Sequence, residues 1–166
     1  MSGHSTATAG AAHPVAEAIP PHPPLRRYYS GESEHRRRID DLFNRAAPDY
    51  DWITQAMSFG FGHWYRRRVL LRAGLDSGMS VLDLGCGTGV LAAHSQAIVG
   101  EEGRVAALDP SLGMLRQATG RGVQLRVSAL AEALPFAAGN FDLLAMGYAL
   151  RHVTDLRATF REFRRV

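Results

Sequence analysis

The stretch Val81-Leu82-Asp83-Leu84-Gly85-Cys86-Gly87-Thr88-Gly89 decides how the rest of this sequence folds. Its first half is apolar apart from Asp83, the pattern of a strand covered on both faces rather than one with a wet side. Its second half places glycine at alternate positions, so the main chain can turn sharply and come close to a ligand. A turn of this kind, at the carboxyl end of a first parallel strand, is where open α/β sheets bind their ligands.

Outward from that turn, strand and helix patterns alternate. The first strand spans Ser80 to Leu84, and a helix follows from Val90 to Val99, ended by Gly100. A second strand covers Arg104 to Asp109. Ser111 then caps a helix through Thr119, closed by Gly120. Val123 to Val127 and Phe141 to Met146 read as strands 3 and 4, and Asp155 starts a last helix. Strands separated by helices pair in parallel through right-handed crossovers, which makes a doubly wound α/β core over residues 78–166.

Upstream the pattern is helical. Ile39, Leu42, Phe43 and Ala46 recur at helical spacing up to Pro48. A short helix is expected over Tyr50 to Met57, and a third from His63 to Ala73 with Gly74 as its stop. Residues 26–77 thus form an N-terminal helical cap. Residues 1–25 are rich in Ala, Pro and His, bury little apolar surface and are expected to be mobile. The histidines in that tail, His4, His13 and His22, are too widely spaced to suggest a metal site.

Composition narrows the function classes. With 166 residues, 46% of them apolar, one domain with a real core is expected. No apolar run reaches the ~18 residues of a membrane-spanning helix, and no secretory leader pattern opens the chain. Cys86 is the single cysteine, so no internal disulfide and no thiolate metal cluster is expected; a reducing, cytoplasmic setting follows. The 19 basic residues are all arginine. The runs Arg36-Arg37-Arg38 and Arg66-Arg67-Arg68 read as solvated helix faces that could meet phosphate or an anionic membrane, and no nucleic-acid motif accompanies them.

Two cofactor classes use a glycine turn after a first strand. A dinucleotide site wants a small residue at the sixth position of G-x-G-x-x-G/A, but Val90 stands there. Asp83, just ahead of the first glycine, opposes a pyrophosphate and suits an ammonium or sulfonium cation. Asp109 ends the second strand about twenty residues on, where a carboxylate can hold the ribose hydroxyls of an adenosine. Together these residues favour S-adenosylmethionine over NAD.

With these residues the chain resembles the class I methyltransferases, and more closely the ubiquinone/menaquinone C-methyltransferase branch. The stretches that carry the resemblance are Leu42-Phe43-Asn44-Arg45-Ala46-Ala47-Pro48-Asp49-Tyr50-Asp51, Met57-Ser58-Phe59-Gly60, the glycine loop, Ala131-Glu132-Ala133-Leu134-Pro135-Phe136 and Tyr148-Ala149-Leu150-Arg151-His152-Val153-Thr154-Asp155. The resemblance implies a Rossmann-like sheet in order 3-2-1-4 behind the helical cap. It also implies that Asp83, Gly85, Gly87, Thr88 and Gly89 hold the methionine end of the cofactor and Asp109 the ribose. Leu130 and Ala131 would flank the adenine, and Gly147 would sit beside the sulfonium. Leu130, His152 and Thr54 stand where relatives carry polar or asparagine residues, which loosens the link to a quinone acceptor.

Methyl transfer to a quinol carbon also needs a hydroxyl deprotonated. The candidates are Arg151, Tyr50 and His152, with His63 and Tyr148 nearby, and the resemblance favours Arg151 orienting a water. The expected substrate is a small molecule, reached by transient membrane-surface contact if it is lipid-like; a homo-oligomer is compatible with this reading. In relatives the last helix leads into further strands, so a chain ending at Val166 is expected to leave strand 4 as a sheet edge and to be poorly stable or weakly active. A non-catalytic cofactor-binding partner is the alternative function.

Overall fold

A computed structural model of the chain describes residues 17–23, 38, 41–43, 45 and 62–166. The expected helix over Tyr50 to Met57, and Tyr50 itself, lie outside the described residues. Helix α1, Gly62–Arg72, precedes the sheet. It ends where Leu75 N–H donates to the Leu70 carbonyl and Gly74 N–H to that of Leu71, with Gly74 at φ +89°. That is the paired closure a left-handed glycine permits, and Leu70 and Leu75 pack together beneath it.

The core then follows as β1 (Ser80–Leu84), α2 (Val90–Val99), β2 (Arg104–Leu108), α3 (Leu112–Thr119), β3 (Leu125–Val127), β4 (Leu143–Ala145), a 3₁₀ turn (Ala149–His152) and α4 (Leu156–Arg165). The strands form one parallel sheet in order β3-β2-β1-β4. Alternation along β1 and β2 divides the core in two. Val81, Val105 and Ala107 face α1, α2 and α3, while Leu82, Leu84, Ala106 and Leu108 face Leu134, Phe163 and Val166 on the other side.

Three strands are shorter than their sequence pattern. Val123 leaves the ladder because its carbonyl accepts from the Arg126 side chain. Phe141 N–H donates to the Val166 carbonyl rather than to a strand. Asp109 keeps one bond to Val127, but its side chain turns back to the loop after β1. Within the segment expected to be mobile, Ile19 N–H donates to Asp155 Oδ1 and its carbonyl accepts from Leu156 N–H, so it meets the first turn of α4.

Candidate functional site

The glycine loop is built by backbone geometry that side chains resist. Gly85, Gly87 and Gly89 all adopt positive φ, at +62°, +55° and +80°. Gly89 is also the N-cap of α2. A Cβ there would lie 2.8 Å from the Ala118 side chain, so this glycine admits α3. A Cβ on Gly85 would lie 2.3 Å from the Cβ of Ala149, so the 3₁₀ turn after β4 rests directly on the loop. Arg121 Nε donates to the Thr88 carbonyl and holds the loop from the α3 side.

Two acids sit under and beside this loop. Asp83 points into the α2 side of the core, 1% exposed, and neither carboxylate oxygen makes a hydrogen bond. Burial pushes its carboxyl up to about 7; the Ala92 amide in the first turn of α2 opposes the rise and the Asp109 charge adds to it. Asp109 accepts from Gly87 N–H at 2.9 Å and from Ser111 N–H at 2.8 Å. Burial and the two carboxylates push the Cys86 thiol well above its usual range, and Cys86 packs in the core as an inert filler.

One cleft opens where the four strands end. Gly85 follows β1, Asp109 follows β2, Leu130 and Ala131 follow β3, and Gly147 follows β4; all five line it, as do Tyr148, Arg151 and His152. Asp83, Gly87, Thr88 and Gly89 are not in the lining. His63 is elsewhere, hydrogen-bonded to His94 across α1 and α2 at 3.0 Å. Arg151 Nε donates to His152 Nε2 at 3.1 Å, which makes that ring nitrogen an acceptor. Phe43, from the helical segment ahead of the sheet, meets the His152 ring edge-on at 5.4 Å between centroids.

Sequence reasoning passed over Phe43 and Glu132 as site residues. Glu132 Oε1 accepts from both the N–H and the hydroxyl of Thr154, at 2.6 and 2.8 Å, and so ties the wall after β3 to the wall after β4. Both residues lay inside stretches that carried the family resemblance, but nothing in their spacing marks them as cleft residues. Tyr148 is 78% exposed at the rim and is the one non-glycine residue at positive φ among the described residues.

S-adenosylmethionine is the cofactor implied by this sheet, and the residues present fit it: Asp83 at the loop is a buried carboxylate with no hydrogen-bond partner, and a Cβ on Gly87 would meet nothing within 4 Å. The fold is that of the Rossmann-like, S-adenosylmethionine-dependent methyltransferase class. Residues 31–166 match the ubiE/COQ5 methyltransferase family. Over 135 residues the chain is 37% identical to the ubiquinone/menaquinone biosynthesis C-methyltransferase UbiE of Shewanella frigidimarina, covering 77% of this chain and 54% of that protein. The protein of the same description from Shewanella woodyi is 36% identical over 147 residues, 84% of this chain and 59% of its own. Among solved structures, a SAM dependent methyltransferase from Aquifex aeolicus superposes with a TM-score of 0.55 at 26% identity, over 61% of this chain and 57% of that one. The chain belongs to the ubiE/COQ5 methyltransferase family, and it spans about half the length of the curated relatives it matches.

Proposed function

We propose that this chain binds S-adenosylmethionine and serves methyl transfer to a small, lipid-like quinol of the demethylmenaquinone kind. The observation that carries the reading is the Asp83 carboxylate, buried without a hydrogen bond beneath the glycine loop. In a medium of low dielectric its charge acts strongly on the loop: a nearby cation offsets the cost of its burial, and a pyrophosphate would add to it. When bound, the cofactor supplies a methyl group on a positively charged sulfur. Asp109 holds the ribose hydroxyls, Leu130 and Ala131 flank the adenine through apolar contact, and Gly147 leaves room at the reacting methyl. Gly87, Thr88 and Gly89 act indirectly, by fixing the loop.

Acceptor chemistry falls to the rim. Arginine stays charged, so Arg151 orients a water that takes the proton from the quinol hydroxyl rather than taking it itself. His152, accepting from Arg151, fixes where that guanidinium points; Tyr50, outside the described residues, is assigned to the acceptor chemistry by the family resemblance alone. The cellular setting proposed is cytoplasmic, with transient membrane-surface contact and self-association as partner modes and no nucleic acid. No helix among the described residues is long and apolar enough to cross a membrane.

The test is transfer of labelled methyl from S-adenosylmethionine to demethylmenaquinol and related quinols. Labelled lipid that disappears with Arg151→Met supports the reading. A chain that binds adenosylhomocysteine yet labels none of the quinols contradicts it and leaves a cofactor-binding partner.

A further inference from the structure

Helix α1 touches the core along a narrow line and turns the rest of its surface outward. Leu70 is its one buried residue, and His63 meets His94 of α2. Around the other side stand Trp64 and Tyr65, 61% and 59% exposed, with Val69 and Leu71 each 44% exposed. Arg67, Arg68 and Arg72 are exposed among them. The helix contains no acid. Among the described residues the recorded ion pair is Arg165–Glu162, and it does not involve α1. Arg68 lies over the Trp64 ring, 5.1 Å from its centroid.

Burial, with His63, Arg66 and Arg67 of α1 and Arg121 past α3 adding to it, pushes the His94 imidazole below its ordinary value. Direction matters too. Gly78, just past α1, bonds to Val99 at the far end of α2. The Trp64–Tyr65 end of α1 is therefore the end nearer the carboxyl edge of the sheet, where the cleft opens.

We propose that the outward face of α1 docks on an anionic lipid surface. Trp64 and Tyr65 sit at the headgroup level, where an amphipathic ring has both an apolar and a wet side. Arg68 and Arg72 stand one and two turns on from Trp64 on the same side of the helix and meet lipid phosphates, with Leu71 beside Trp64 and Arg67 at the flank. Nucleic acid would match the arginines but would leave Leu71, on one helix face with Trp64, in water. The proposal rests on the reading of a lipid-like acceptor for its purpose, and brings the cleft edge to the surface where such an acceptor resides.

The experiment is co-sedimentation of the full chain with vesicles of phosphatidylcholine alone, or of equal parts phosphatidylcholine and phosphatidylglycerol. Binding is expected to the mixed vesicles only, and to fall with added salt. Each arginine near such a surface contributes about fivefold, so Arg67→Glu with Arg68→Glu should weaken binding at least about thirtyfold. Arg116→Glu with Arg157→Glu changes the net charge equally from other surfaces and should leave most of it. Trp64 fluorescence, read in a Trp52→Phe background, should shift to the blue with mixed vesicles. Equal loss in the two charge-reversed pairs, binding to neutral vesicles alone, or capture of a DNA duplex without vesicle binding would overturn the proposal. Adenosylhomocysteine binding, measured on the same variants without vesicles, keeps a failure of this surface distinct from a failure of the cofactor reading.

Discussion

Asp109 reaches back from the end of β2 to accept the Gly87 N–H at 2.9 Å, so the acid proposed to hold the ribose also braces the loop proposed to hold the methionine end. Its other oxygen accepts from the N–H of Ser111, the N-cap of α3. One side chain thus couples the ends of β1 and β2 to the start of a helix.

Asp109→Ala leaves two backbone donors without their acceptor. Hydrogen bonds to charged groups contribute about 1.5–3 kcal/mol each, so a lower melting temperature is expected even without ligand. Asp109→Asn keeps one acceptor oxygen and should fall between alanine and the parent. Thermal melts of the three proteins check this ordering; an alanine variant that melts like the parent contradicts it.

Asp83 gives stability a pH dependence of unusual sign for a carboxylate. Its folded value of about 7 lies above the ordinary 3.8. Between those values the folded chain holds a proton that the unfolded chain has released, so stability falls as pH rises from about 4 to about 7, then levels off. The difference amounts to about 4 kcal/mol at most. Asp83→Asn should remove this slope, raise the melting temperature at pH above about 7, and weaken binding of a cationic ligand. Parallel pH–melt curves for Asp83→Asn and its parent would contradict the account.

Gly85→Ala meets two obstacles, a φ of +62° and a Cβ 2.3 Å from that of Ala149. The backbone strain alone costs about 1–3 kcal/mol. Ala149→Gly removes the steric contact but not the strain, so the double variant should recover part of the loss and no more. A double-mutant cycle measures the coupling, expected at about 0.5–3 kcal/mol for residues in contact. Additive effects would show that the 3₁₀ turn does not rest on the loop.

Arg165 ties α4 to the wall after β3, donating to the Leu134 and Phe136 carbonyls while Glu162 accepts from Leu134 N–H. The Arg165 guanidinium and the Leu134 amide hold the Glu162 carboxyl down to about 2. Stability from this carboxylate is complete above its ordinary 4.5 and is lost only as pH falls toward 2. Arg165→Met should speed amide exchange at Leu134 and loosen the Ala131–Phe136 wall. Unchanged exchange there would remove Arg165 from the support of the cleft.

Much of this was legible before any coordinates. β1, α2 and the N-caps Ser111 and Asp155 stand where glycine punctuation and capping chemistry put them, because those signals are local. β3 and β4 are shorter than their apolar runs because backbone groups at their edges find other partners, the Val123 carbonyl the nearby Arg126 side chain and the Phe141 amide the carbonyl of Val166, far along the chain. The same reason hides Phe43 and Glu132: their place in the cleft comes from the fold, not from a motif. Gly89 belonged to the expected binding loop, yet the room it leaves is taken by Ala118 of α3.

The central claim is that the loop and its two acids select a sulfonium nucleoside over a dinucleotide. Calorimetric titration of the full chain with S-adenosylhomocysteine, S-adenosylmethionine and NAD tests it most directly. The account predicts saturable binding of both adenosyl ligands, tighter for the sulfonium as pH rises through about 7 where Asp83 ionises, and no binding of NAD. Binding of NAD with neither adenosyl ligand bound would contradict it.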